Sequence, residues 1–372
     1  MDKRNIAMDK SFSREHGHGT LSYRNALYQT MHNVLRDNAH TFIIGQGVDD
    51  HKGTFGSTLG LAEKFGSDRV IDTPIAEEGI AGIAIGSALN GLYPIQIYIR
   101  FDFVLLAMNQ LLNLAAKYKY MFGGRFELPM LIRMVIGRGW GQGAQHSQSL
   151  QSLFAHIPGL TVIMPSSSQS IIDSYPYIIN NYRAPVIAIE HRLLYDLNFR
   201  LVNNERENTT SKPWNTFTIR KGKDITIVAT SIMVLEALRA ANHLAVNSSM
   251  DCEIIDLSCV SHPDVNLIIQ SVAKTGKLLI ADTSWPAYGV CAEVCRKICE
   301  YDPSLLKAPV ITVGMQPSSC PTAKYLENLF YPNLKILTNH IATLVTGDNN
   351  HGIPLPNEQS FTEVYKHFKG PF

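Results

Sequence analysis

Residues 70–91 read VIDTPIAEEGIAGIAIGSALNG. Val70 and Ile71 are a β-branched pair of the kind that ends a buried strand, and Asp72-Thr73-Pro74 is turn chemistry. The stretch then turns almost wholly apolar over a helical length. A strand handed directly to a buried helix is the repeating unit of a parallel sheet, so this stretch sets the fold class. Two carboxylates, Glu77 and Glu78, stand at the mouth of the helix. An acid there is either a solvated cap favoured by the helix dipole or a group placed for its chemistry; spacing alone favours the cap. Adjacent helical residues diverge by about 100°, so at most one of the two can face a given site. Gly79, Gly82 and Gly86 leave a smooth groove along the helix, where a subunit contact is expected.

Outward from this stretch, helical and strand patterns alternate. Residues 23–36 have helical spacing, and strands are expected at 41–45, 68–72, 94–99, 129–136, 160–164 and 186–190. The helix after residue 79 runs to about Asn90. A long helix is expected from Val104 to Met121, stopped by Gly123-Gly124, with further helices from Ser147 and from Ser168 to Asn180. Residues 196–214 turn polar and aperiodic. A second alternating block then runs to residue 313. The expected organisation is a flexible segment 1–20, a doubly wound, mostly parallel α/β domain 21–196, a linker 197–222, a smaller α/β domain 223–345 and a tail 346–372.

Composition narrows the function. The 372 residues carry 33 Lys+Arg against 32 Asp+Glu, a net charge of +1, which removes any electrostatic case for nucleic acid or anionic membrane. Charged residues make up 17%, below the roughly 25% usual in soluble domains. Wide faces covered by partner subunits are therefore expected. The most apolar window, residues 80–99, is broken by Asn90, Gly91, Pro94 and Gln96, so it reads as a buried helix and then a strand, with no membrane span. Six cysteines show no metal-site pairing and no secretory leader precedes them, which points to reduced thiols in a cytoplasmic protein. Cys291, Cys295 and Cys299 recur every fourth residue and are expected to face the core of one helix.

DTPIAEEGIAGIAIG at residues 72–86 resembles a motif of the beta subunit of the thiamine-diphosphate-dependent decarboxylating component of 2-oxo acid dehydrogenases, of the pyruvate dehydrogenase type. Ala144-Gln145-His146-Ser147-Gln148 is similar to the AQHSQ string of that family, and Pro158-Gly159-Leu160 to its PGL. The likeness spans about Leu21 to Val345. It implies a thiamine pyrimidine-binding domain followed by a transketolase C-terminal-type domain. It implies Glu77 as the acid hydrogen-bonded to a pyrimidine nitrogen, Phe103 as the aromatic against the aminopyrimidine, and active-site service for His146. Phe101 is the competing aromatic, since in an extended strand residues i and i+2 share a face. Arg100, Arg138, Trp140 and Gln145 are expected to line the substrate channel, with the glycine-rich 137–143 loop as its mobile wall.

The diphosphate-binding GDG string of thiamine enzymes is missing, and Gly347-Asp348-Asn349 is too near the end to stand for it. The resemblance therefore implies that an alpha-type subunit carries the diphosphate and Mg2+, in a heterotetramer of two chains of each kind. The acyl unit of a small 2-oxo acid would pass to a lipoyl carrier protein or another acceptor. The chain departs from the family in having Gln46 in place of an acid, Arg100 and Asp102 around the aromatics, and Asp282-Thr283 where paired acids are usual. The arginines leave a transketolase-like carboligase, transferring a two-carbon unit to an aldehyde or sugar, as one alternative. A non-catalytic scaffold subunit is the other.

Overall fold

The computed structural model describes residues 19–138, 141–201, 212–357 and 365. The chain divides into two compact units, Glu15–Gly137 with Leu153–Trp214, and Arg138–Ser152 with Asn215–Pro371.

In the first unit six strands form one sheet in the order Val70–Asp72, Thr41–Gly45, Tyr93–Tyr98, Met130–Ile136, Pro185–His191 and Thr161–Ile163, with every neighbouring pair parallel. Parallel strands need crossover helices that cover the sheet, so their sequences are apolar runs rather than alternations. Met130–Ile136 and Pro185–His191 are buried along their whole length. The Tyr23–Asp37 helix packs on the Ser168–Asn181 helix. Each begins at a serine cap, Ser22 accepting from Asn25 N and Ser167 from Ser170 N. The Glu77–Leu89 helix packs on Tyr93–Tyr98 and on the turns that follow it.

One full charge pair lies in this core. Arg133 Nε and Nη2 meet Glu190 Oε1 and Oε2 at 2.7 and 2.9 Å, and both residues are fully buried. Tyr175 and Tyr195 donate their hydroxyls to the same carboxylate, and burial with Glu190 beside them pushes both phenols well up. Such a pair persists in an apolar interior because each lone pair finds a donor.

The expected long helix at 104–121 is not continuous. Phe101–Ala107 is a 3₁₀ turn, Asn109–Ala115 a π-helical turn and Tyr118–Met121 a short α-helix. Apolar spacing does not distinguish these windings, because they differ by less than one residue per turn from the α-helix.

The second unit has a five-stranded sheet in the order Ile311–Val313, Leu278–Ala281, Ile225–Ala229, Cys252–Asp256 and Phe217–Arg220, antiparallel only at the Phe217–Arg220 edge. Phe217–Arg220 falls in the stretch read as linker. So does Asn198–Arg200, which pairs antiparallel with Thr20–Ser22 in the first unit. The segment after Gln148 is tied to the second unit by Gln151, whose Nε2 donates to Asp282 Oδ1 at 2.8 Å. Asp282 is fully buried and also accepts from Thr283 N at 2.8 Å and from the hydroxyls of Thr230 and Ser284.

Two details of this unit bear on the reading of its sequence. Cys291 is buried, Cys295 half-buried and Cys299 exposed, because a four-residue step overshoots one helical turn by about 40° and the row drifts off the core. The tail is not without core contacts: Pro354 O meets His243 Nε2 at 2.6 Å, and Tyr365 is buried with its hydroxyl on Glu236.

Candidate active site

Ligands of doubly wound sheets bind outside the carboxyl ends of the strands. At that edge of the first unit lie Gly45, Asp72 and Tyr98, and the Glu77–Leu89 helix begins there. Gly45 carries no side chain for a physical reason: a Cβ would stand 2.4 Å from Ile97 O. Asp72 closes the strand exit by accepting from Gly47 N and Thr73 N at 2.9 and 2.8 Å.

Glu77 is the first residue of its helix and is half-buried, while Glu78 is exposed and accepts from Gln110 Nε2 at 2.9 Å. The two acids separate as their helical angle requires. Gln46 Nε2 reaches Glu77 Oε1 at 3.5 Å. Tyr98 lies near enough that the Glu77 charge adds to burial, the larger effect, in pushing its phenol up; Gln96 opposes this by donating to the phenol oxygen at 2.8 Å. Gln96 and Tyr98 share a face of a buried strand, and that alternation of polar residues in YPIQIY was a legible signal for a polar group on the helix above.

The aromatics resolve differently from the extended-strand expectation. Phe101 opens the 3₁₀ turn, where residues two apart diverge by about 240° instead of sharing a face. Phe101 is 0% exposed and packs on Phe154 with ring centroids 5.5 Å apart, whereas Phe103 is 37% exposed. Phe101 is a core residue, and Phe103 is the more exposed of the two rings.

Both described arginines are buried instead of exposed. Arg100 is 8% exposed, with its guanidinium 5.9 Å from the centroid of Phe55, a residue held in left-handed backbone at φ 57°. Arg138 is 3% exposed in the second unit. It pairs with Glu327 at 3.7 Å, bonds Asn328 and stacks 5.2 Å from the Tyr331 centroid. Both side chains turned inward because an aromatic face and buried acceptors were within reach of a planar cation. Trp140 lies outside the described residues. His146 and Gln145 belong to the second unit, half-buried and exposed respectively, in a turn before the helix that begins at Gln151, not at the head of a helix starting near Ser147.

The donor set fits one part of thiamine diphosphate. A half-buried carboxyl, a neutral amide and a neutral phenol beside it, and a partly exposed aromatic ring suit a flat, weakly basic ring. Among the described residues no group of three or more His, Cys, Asp or Glu could hold a metal ion.

Residues 19–197 match the transketolase pyrimidine-binding domain family and residues 216–335 the transketolase C-terminal domain family. The pyruvate dehydrogenase E1 component subunit beta of Bos taurus, named as mitochondrial, is 36% identical over 317 residues, covering 85% of this chain and 88% of the relative. The chain belongs to the pyruvate dehydrogenase E1 beta-subunit family. The Chaetomium thermophilum member, also mitochondrial by name, is 33% identical over 346 residues, covering 93% and 89%, and the Rickettsia bellii member 36% identical over 316, covering 84% and 95%. A split-gene transketolase, an inactive beta4 tetramer, superposes with a TM-score of 0.69 at 20% identity, covering 88% of this chain and 99% of that one, and shows the shared fold. Within the family this chain is the beta subunit of a thiamine-diphosphate-dependent 2-oxo acid decarboxylase. Among the described residues no helix is long and apolar enough to cross a membrane.

Proposed function

We propose that this chain contributes the acid half of a shared decarboxylation site, with Glu77 as the residue that holds a proton at the pyrimidine of thiamine diphosphate. The supporting observation is the set around Glu77: a helix-leading carboxyl, half-buried, with only neutral polar groups at Gln46 and Tyr98. Bound thiamine diphosphate supplies the carbanion chemistry that releases CO2 from a 2-oxo acid. Glu77 hydrogen-bonds the ring nitrogen, Phe103 stacks on the ring, and His146 passes a proton to the substrate carbonyl oxygen. Gln145 precedes His146 and is exposed for substrate contact.

The diphosphate and its Mg2+ sit on an alpha-type partner, in a heterotetramer with two copies of this chain. The open glycine face of the Glu77–Leu89 helix supports a subunit contact: a Cβ at Gly79, Gly82 or Gly86 would meet nothing within 4 Å, and Ile75 and Ile83 are exposed beside it. The acyl unit passes to a lipoyl group on a carrier protein. The carboligase alternative rested on Arg100 and Arg138, and their burial removes its support. The cysteines are free thiols, as suits a reducing compartment such as the cytoplasm.

The test is turnover of the chain with its alpha-type partner. Glu77→Gln lowers kcat at least about a hundredfold. Unchanged turnover in that variant ends this reading, and transfer to aldehydes in preference to lipoamide replaces the acceptor.

A further inference from the structure

Glu77 has two polar neighbours and neither is an acid. Gln46 directly follows the Thr41–Gly45 strand, and its Nε2 donates toward Glu77 Oε1 at 3.5 Å, the long end of a hydrogen bond and a length common before a ligand closes a site. Tyr98 approaches from the next strand. Its oxygen accepts from Gln96 Nε2 at 2.8 Å, so its own proton is not spent on Gln96. Gln96 is buried, and its Oε1 has no hydrogen-bond partner among the described residues. This side of the carboxyl is therefore lined by amide and phenol, with no charge.

Three other charged groups on the helix or on the elements packed against it are engaged elsewhere. Glu78 is held by Gln110, Asp72 by backbone N–H groups, and Arg133 by Glu190. Tyr93 is buried and its phenol is pushed up by that burial. Arg100 and Asp102 are both buried at the start of the 3₁₀ turn.

We propose that Gln46 is a positioning residue for Glu77: its neutral N–H aims the carboxyl and leaves Glu77 the one carboxyl among Gln46, Gln96 and Tyr98, so that the residue at position 46 tunes the acid. The proposal rests on the assignment of Glu77 as the pyrimidine acid. An N–H donated to a carboxylate favours its charged form, and a second carboxylate in the same place disfavours it. Position 46 therefore sets the pH at which Glu77 gives up its proton.

The experiment measures the dissociation constant of thiamine diphosphate with Mg2+ for the assembled enzyme, by tryptophan fluorescence, as pH rises. Affinity falls once the acid can no longer supply a proton to the ring nitrogen, which defines an alkaline limb. Gln46→Glu moves that limb up by about one pH unit, so binding above the limb is up to about tenfold tighter than in the parent. Gln46→Asn withdraws the amide by one methylene without adding charge and moves the limb the same way by less, so the proposal remains testable if the acid variant folds poorly. A merely structural role leaves the limb in place in both variants, and that result overturns the proposal. Glu77→Gln is the separate control: if it keeps the parent limb, the assignment of Glu77 itself fails, whereas loss of the limb with no effect at position 46 refutes only the positioning.

Discussion

Phe101 and Phe103 are two residues apart, yet they should fail in opposite ways when truncated. Phe101 is fully buried against Phe154, so Phe101→Ala loses the transfer energy of a whole aromatic ring and leaves a cavity. At about 25 cal/mol per Å² and roughly 150 Å² of ring surface, the transfer part alone is about 4 kcal/mol, within the 3–5 kcal/mol usual for such changes. For a unit of this size each kcal/mol lowers the midpoint by about 2–4 °C, so a fall of roughly 8–16 °C is expected. Phe103 keeps 37% of its surface in water, so by the same arithmetic Phe103→Ala costs about 2.4 kcal/mol and lowers the midpoint by roughly 5–10 °C, less than Phe101→Ala. What it loses is the ring face: stacking worth about 0.5–1.5 kcal/mol weakens thiamine diphosphate binding by about two- to twelvefold. Calorimetry of the two variants, followed by cofactor titration of the assembled enzyme, separates these outcomes. Equal falls in midpoint, or a Phe103→Ala protein that binds the cofactor as tightly as the parent, would refute the assignment of one ring to the core and one to the ligand.

Two further outcomes follow from the same structure. Burial lowers the pKa of His340 from its ordinary value near 6.5, so the unfolded chain takes up this proton more readily than the folded one. Its contribution to stability is full above about pH 6.5 and declines as pH falls toward the lowered folded value; urea midpoints at pH 7.5 and 5.5 should differ less in His340→Gln than in the parent. Metal dependence should belong to the assembly: thiamine diphosphate with Mg2+ raises the melting midpoint when the alpha-type subunit is present, and EDTA leaves the midpoint of this chain alone unchanged. A magnesium-dependent rise for the isolated chain would place diphosphate ligands here.

What the sequence made legible, and what it hid, divide along the reach of the forces involved. The alternation of apolar strand and helix was readable because burying both faces of a parallel sheet constrains every strand residue, as in Met130–Ile136. That Glu77 and Glu78 diverge was legible because adjacent helical residues must point apart, and one is half-buried while the other is exposed; which of them to favour came from the motif resemblance. That one of the two aromatics would be core was legible, but the extended-strand geometry was not, because a strand that becomes a 3₁₀ turn at Phe101 reverses the i, i+2 rule. The arginines misled for a different reason. Whether a cation faces solvent is decided by partners distant in sequence, here Phe55 for Arg100 and Glu327, Asn328 and Tyr331 for Arg138, which no local pattern announces. The same long reach hid the neutral cluster around Glu77. Gln46 and Tyr98 meet it only because parallel pairing aligns Gly45 with Asp72 on one side and with Ile97 on the other, bringing three strand ends to a single helix start. A residue replaced at any of those three ends changes the surroundings of one carboxyl, so the sheet register, as much as the helix that carries Glu77, decides what that side chain meets.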